Sequence, residues 1–380
     1  MKKPMLAAIL APLAALVAVH LADARSEGAV PGPSAAPAAA PSPAESAAGG
    51  RAPAGQLIWD ATRIPDREKT RLEFPDLVRF RGDWYCSFRE GEIHGNHPSG
   101  RGRVIRSRDG GDWQSVALME WEGGDVRDPR LSVTADGQLM LNSSIYFTST
   151  RRSGTPPNES EAEGVARQSV TWLSADGTNW SSAYACATGV NSWRWDVAWH
   201  GGMGYSIAYT GKDAKGTLYR TRDGKSWRTL LSDFFPDGRG TEAALAFAVD
   251  GTACCLLRDG RTRGMIGVGA PPDYQQWKWK DARVDWRGDG QLRPANDVWK
   301  GSLGGPKIVR LADGRFVGIA RIDGRVTLFW VDPENGVFTK LVEVDGTSYP
   351  GLVEHEGLLW VTYGVNDASG IFLTKAPVPN

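Results

Sequence analysis

One seven-residue pattern, S/T-x-D-G-x-x-W, occurs three times in this chain, at 107–113, 174–180 and 221–227. Each copy follows a short alternating or β-branched run, at 103–106, 170–173 and 217–220, so each reads as a turn leaving a strand. The chemistry suits that position. The Asp accepts hydrogen bonds from the turn's own N–H groups, the Gly takes positive φ, the hydroxyl ties the strand end, and the Trp folds back as an apolar plug. A single copy would be only an aspartate-glycine turn, whereas three copies define a repeated supersecondary unit and make the chain an array.

A second pattern interleaves with the first: strand, tight turn, strand. Its six copies span 74–88, 128–141, 195–209, 242–258, 306–321 and 349–363, most of them turning at an Asp-Gly, Gly-Gly or Glu-Gly pair. The first three precede the aspartate turns; the fourth precedes a degenerate copy at 271–277 and the fifth a poorer one at 332–338. Each unit therefore holds two hairpins, the content of one propeller blade. The sixth hairpin is followed by a single strand at 371–375, and the unassigned 56–62 (QLIWDAT) can supply the strand it lacks. The expectation is an all-β, six-bladed β-propeller of four-stranded antiparallel blades, with an N-terminal strand closing the last blade and removing an open edge.

Composition agrees. Gly 46, Pro 23 and Trp 16, without long 3.6-period hydrophobicity, favour strands and turns over helices. Lys+Arg 44 balance Asp+Glu 44, which leaves no net charge to draw the chain to nucleic acid or an anionic membrane. Met1-Lys2-Lys3, an apolar run and the exit Ala22-Asp23-Ala24 read as a secretory signal over 1–24, with a retained N-terminal anchor as the rival. Residues 25–55, mostly Ala, Pro, Ser and Gly, read as an extended tether. A secreted or periplasmic, monomeric propeller over 56–380 is expected. The four cysteines, Cys86, Cys186, Cys254 and Cys255, are expected as buried free thiols.

The aspartate turns, their place after the third strand and the count of six units together resemble the sialidase (neuraminidase) superfamily of β-propellers, whose repeats are called Asp-boxes. The resemblance covers 56–380. It implies a site at the central axis, where three Arg residues hold a substrate carboxylate, a Tyr activated by a Glu is the nucleophile, and an Asp on a first-blade loop is the acid/base. A guanidinium cluster matches a carboxylate, and a neutral Tyr can attack beside a negative charge that would repel a carboxylate nucleophile.

Carried over position by position, the fourth hairpin resembles the family's N-E...D-G...R hairpin and puts Glu242 and Arg258 in the places of the activating Glu and one clamp Arg. The fifth offers Arg321 or Arg325 for another clamp position. The last begins Ser348-Tyr349-Pro350, which makes Tyr349 the nucleophile candidate. The first blade departs from the pattern: Leu72-Glu73-Phe74-Pro75 stands where the family has F-R-I-P, and an Arg63-Ile64-Pro65 lies upstream, out of register. The loop 89–103 has no Asp, so Arg89 is the candidate for the missing guanidinium and Glu90 or Glu92 for the acid.

Asp76 and Asp128 each sit beside a Pro at the start of an inner strand. They read either as local turn chemistry or as an acid/base pair entering the axis, with Arg130 beside Asp128 as a further substrate-binding candidate. His94 and His97 read as a solvated or substrate-contacting pair rather than metal ligands. Trp193, Trp195 and Trp199 share one strand face, where they either wedge between blades or, as with Trp193 or Trp195, stack on sugar. The overall expectation is an exo-acting glycoside hydrolase of sialidase type that removes a terminal acidic sugar from a glycan or glycoconjugate, needing no cofactor or metal. Two alternatives stay open: a non-catalytic carbohydrate-binding propeller, and a hydrolase or lyase for another saccharide using Asp76 and Asp128.

Overall fold

The structure, a computed structural model, describes residues 50–64, 70–147, 166–210 and 215–379. The expected signal 1–24, most of the expected tether and Pro65 lie outside the described residues. The rest is an all-β propeller built from antiparallel four-stranded blades. In the first blade, Arg71–Phe80, Asp83–Gly91, Arg101–Ser107 and Gln114–Met119 run from axis to rim. The second, third and fourth blades begin at the axis with Gly124–Val133, Trp193–His200 and Ala243–Phe247. The last blade runs from Gly351–His355 through Leu358–Gly364 and Gly370–Pro377 to Gln56–Asp60, whose residues pair from Gln56↔Leu373 to Asp60↔Gly370. The two ends of the propeller thus meet in one sheet. Each inner strand packs on the next, and Gly351–His355 packs on Arg71–Phe80 to close the ring.

The expectation of six equal four-stranded blades is corrected at one place. Five sheets have four strands, while the sheet that starts at Gly304–Arg310 has seven. Its fourth strand, Val337–Val344, carries two parallel additions: Arg283–Asp285, itself paired with Arg293–Pro294, and Gly50–Arg51. The cause lies in the apolar residues of the preceding connection. Ala282, Val284, Ala295, Trp299 and Leu303 bury themselves with Phe329 and Phe338 in the seam of this sheet, which fixes that connection along the sheet's edge.

Alternation along each strand feeds two seams at once. Cys254 packs with Leu256 and Phe316 on one side, and Cys255 with Leu245 and Phe247 on the other. All four thiols are free. At the rim the three aspartate turns share one bonding scheme. The strand-end hydroxyls of Ser107, Ser174 and Thr221 accept from the glycine N–H groups at 2.9, 2.8 and 2.9 Å. Asp109, Asp176 and Asp223 cap the following N–H groups, and the three glycines have φ of 87°, 80° and 70°.

Candidate active site

What brings side chains to the axis is a repeated irregularity at the start of the inner strands. An X-Pro pair occurs there four times, at Phe74-Pro75, Asp128-Pro129, Gly305-Pro306 and Tyr349-Pro350. Proline lacks the N–H that a regular ladder needs. Pairing slips between Glu73 and Asp76, between Arg127 and Arg130, and between Gly304 and Lys307, with φ of 59°, 47° and 57° at Phe74, Asp128 and Gly305. A bulge of this kind re-aims the side chain it carries. Phe74, Trp195 and Tyr349 meet as a buried aromatic cluster, with Trp193 and Tyr209 packed against it.

Tyr349, Glu242 and Arg258 form the centre. The Tyr349 hydroxyl donates to Glu242 Oε1 at 2.9 Å, and Arg258 Nη1 reaches both that oxygen, at 2.7 Å, and the Tyr349 Oη, at 3.0 Å. The second carboxylate oxygen accepts from the Gly305 N–H at 2.8 Å, and Arg258 Nε donates to Ser302 at 3.1 Å. Gly305 is required here, because a Cβ would stand 2.2 Å from Tyr349 Cγ. Arg321 lies with its guanidinium 4.7 Å from the Tyr349 ring centre. Burial, then the Glu242 charge, pushes the Tyr349 phenol well above its ordinary range against the pull of Arg258 and Arg321. The phenol is therefore neutral, with its proton already directed at a carboxylate. Beside this group opens a cavity of about 470 Å³ lined by Tyr209, Arg239, Glu242, Arg258, Arg261 and Ser302.

The other expected residues divide. Trp195 is at the centre, its ring 5.7 Å from that of Tyr349. Arg130 lies beneath, stacked 4.8 Å from the Trp195 ring and donating to the Pro350 carbonyl at 3.2 Å, so it braces the floor. Asp128 is buried, and desolvation raises its carboxyl to about 6 in spite of Arg127 and Arg130. Asp76 is committed below it, to Lys307 on one oxygen and the Leu131 N–H on the other, while Lys307 also faces Asp196 at 3.7 Å. The two aspartates are in different settings and do not form a symmetric pair. His94 stands on the first-blade loop with its ring 5.6 Å from Phe74.

Three expectations are corrected. Arg89 is fully buried, held by Asp125 through two bonds of 2.8 and 3.0 Å and by the Ile93 carbonyl at 2.9 Å, so its guanidinium is not open to a substrate. Glu90, on the opposite strand face, is gripped by Arg103 at 2.5 and 3.0 Å and has no exposed surface to deliver a proton. Arg325 is exposed at a turn near Asp345, 4.0 Å away, and it is Arg321 that reaches the centre. Sequence reasoning missed Glu73, Arg127, Tyr209, Lys307, Arg239 and Arg261. For Arg127 the repeated X-Pro was the available signal, since it immediately precedes Asp128-Pro129. Among the described residues no group of His, Cys, Asp and Glu could hold a metal, and no helix is long and apolar enough to cross a membrane.

No protein-family profile and no curated protein sequence matches this chain. Solved structures match in fold. A protein of unknown function from Dyadobacter fermentans is 15% identical, with 87% of this chain and 99% of that one covered and a TM-score of 0.65. Trypanosoma rangeli sialidase, in complex with 2,3-difluoro-KDN, is 13% identical over 80% of this chain at a TM-score of 0.61, and this chain spans about half (53%) of its length. An alpha-L-arabinofuranosidase from Fusarium graminearum, in complex with an iminosugar inhibitor, is 12% identical over 87% of this chain and 99% of its own, at 0.59. At such identities the likeness establishes a sialidase-like propeller fold.

Proposed function

We propose that the protein is a glycoside hydrolase of sialidase type that removes a terminal acidic sugar from a glycan, and that the enlarged sheet serves as the sixth blade of its ring. The observation that carries this reading is the Tyr349–Glu242 hydrogen bond of 2.9 Å, braced by Arg258. A neutral phenol beside a carboxylate is a poor acid but an activated nucleophile: as Tyr349 Oη attacks the anomeric carbon, its proton passes to Glu242. Arg258 and Arg321 flank the same phenol, where their charges bind the substrate's anionic group and hold the anomeric carbon against Oη. The resulting glycosyl-tyrosine is opened by water, so the product retains its anomeric configuration. The glycosidases among the fold neighbours support the class, whereas the lock on Asp76 gives no support to an Asp76/Asp128 mechanism.

The test is hydrolysis of a panel of chromogenic glycosides, including a sialoside and a uronide, by wild type, Tyr349→Phe and Glu242→Gln. Release of an acidic sugar that falls by about 10³-fold or more in Tyr349→Phe is expected. Release that survives Tyr349→Phe would overturn the mechanism, and glycan binding without release from any substrate would point to a carbohydrate-binding propeller.

A further inference from the structure

Breaking a glycosidic bond requires a second group that gives a proton to the leaving oxygen and later takes one from water. Tyr349 and Glu242 hold each other and cannot also serve it. Of the first-blade carboxylates, Glu90 is sealed under Arg103 and Glu73 is buried, while Glu92 is an exposed loop residue whose backbone N–H donates to Ser99. The loop between the second and third strands of that blade instead presents an imidazole. His94 Nδ1 lies 2.9 Å from Glu73 Oε1, while the His94 side chain is 64% exposed and the Glu73 side chain 6%.

From this geometry we infer that His94 is the acid/base of the site and that Glu73 is its positioning residue, a step that rests on the Tyr349 reading above. A carboxylate on Nδ1 fixes the tautomer with the proton on that nitrogen, which leaves Nε2 as the working atom on the solvent side. The ring lies against Phe74, and Phe74 in turn lies against Tyr349, at 5.6 and 5.3 Å between ring centres. A single aromatic ring therefore lies between His94 and the nucleophile.

The loop is built to hold this position. Arg89 donates to the Ile93 carbonyl at 2.9 Å, Asp125 accepts from the His97 N–H at 3.1 Å, and Arg127 donates to Asn96 Oδ1 at 3.0 Å. Arg89 and Asp125 are paired and fully buried, so the loop is clamped to a rigid base on both sides of His94. The charged groups facing the imidazole are Glu73 directly, Arg71 and Arg89 through Glu73, and Arg127 across Phe74. Burial alone would raise the Glu73 carboxyl, yet the hydrogen bonds and charges of His94 and Arg71 hold it below its ordinary value; it is an anion able to support an imidazolium.

The step balances. Imidazolium Nε2–H gives its proton to the glycosidic oxygen as the bond to the anomeric carbon breaks, and Tyr349 Oη bonds that carbon while its proton moves to Glu242. Neutral Nε2 then takes a proton from water as the water oxygen displaces Tyr349, which recovers its proton from Glu242. The sum is glycoside plus water giving sugar plus alcohol.

The experiment compares wild type, His94→Gln, Glu73→Gln, Asp128→Asn and Tyr349→Phe on glycosides of one sugar with 4-methylumbelliferyl, 4-nitrophenyl and benzyl leaving groups, across pH. For His94→Gln the expected result is a loss of about 10²-fold or more on the benzyl glycoside and only a few-fold on the activated aryl glycosides, disappearance of one limb of the pH profile, and partial rescue by added imidazole. Glu73→Gln should keep part of the activity and shift that limb to lower pH. Equal loss on all leaving groups, an unchanged pH profile in His94→Gln, or the leaving-group pattern appearing in Asp128→Asn instead would overturn the inference. Tyr349→Phe is expected to lose every substrate alike; if it does not, the nucleophile reading fails while the leaving-group series still judges His94. No cleavage of any glycoside by wild type overturns both.

Discussion

Asp128 shows what one residue can cost a fold. Its backbone is strained at φ 47°, its Oδ1 is buried without a hydrogen-bond partner, and burial raises its carboxyl from the ordinary 3.8 to about 6. Groups held under strain with unmet polar atoms belong to function more often than to stability. The sign follows from linkage: between about pH 4 and 6 the folded protein holds a proton that the unfolded chain has released, so stability falls as pH rises through that window. At ~1.4 kcal/mol per pH unit the full loss is on the order of 3 kcal/mol. Asp128→Asn should therefore be more stable than wild type by about 1–3 kcal/mol at pH 8 and level with it near pH 4, measured by urea unfolding at both pH values; equal gains at both would refute the assignment. Arg321, whose guanidinium faces the Tyr349 ring, has a different signature. Arg321→Leu should raise KM for an acidic glycoside by about 10²-fold with a smaller effect on kcat, and should leave a neutral aryl glycoside within a few-fold. Tyr349, Glu242, Arg258 and Arg321 were legible in the sequence because each sits at a strand end that the hairpin repeats locate. The fates of Arg89 and Glu90 were not, because their partners Asp125 and Arg103 are set by packing across 36 and 13 positions, and nothing local says which face of the strand each partner occupies.

At the scale of the element, the aspartate turns join blades as well as strands. Gly177 is at φ 80°, and a Cβ there would stand 2.1 Å from the Tyr85 hydroxyl of the first blade. The tip of the second blade's turn is thus wedged against its neighbour, with Tyr85 Oη 3.5 Å from the Asp176 carbonyl. Gly177→Ala should cost about 2–4 kcal/mol, since it combines an unfavourable φ with overpacking. Part of that cost should return in the double variant with Tyr85→Ala, which removes the whole ring, since Tyr85 Cζ would also stand 2.4 Å from the new Cβ; a strictly additive double-mutant cycle would mean that the turn is strained only within itself. The turns themselves were legible, because Asp, Gly and hydroxyl at fixed spacing make all their bonds locally. The inter-blade wedge and the strand pair 283–294 were not: the first depends on which blade lies behind, and the second on a seam whose Phe329 and Phe338 lie far along the chain from Trp299.

The propeller is a ring, and a ring is only as stable as its closure. The closing strand Gln56–Asp60 comes from one end of the propeller chain and pairs with Gly370–Pro377 from the other, so this sheet must be completed after both ends have been made. A slip in pairing between Leu57 and Trp59 lets the two consecutive side chains of Ile58 and Trp59 both bury in the seam with Trp84, Phe88 and Ile371, while Leu57 remains 46% exposed. That asymmetry defines the test. Ile58→Ala should lose about 2–4 kcal/mol by leaving a cavity in a seam that joins the last blade to the first, whereas Leu57→Ala, one residue away on the same strand, should stay within about 0.5 kcal/mol. Removing 56–60 altogether should do more than subtract this burial. The freed edge of Gly370–Pro377 would present unpaired N–H and C=O groups to solvent, and such an edge recruits another strand. The truncated chain should therefore associate in a concentration-dependent way by light scattering under conditions where Ile58→Ala remains as wild type. If both variants merely melt earlier, with no association, Gln56–Asp60 contributes apolar burial alone and the ring does not depend on it for a closed edge.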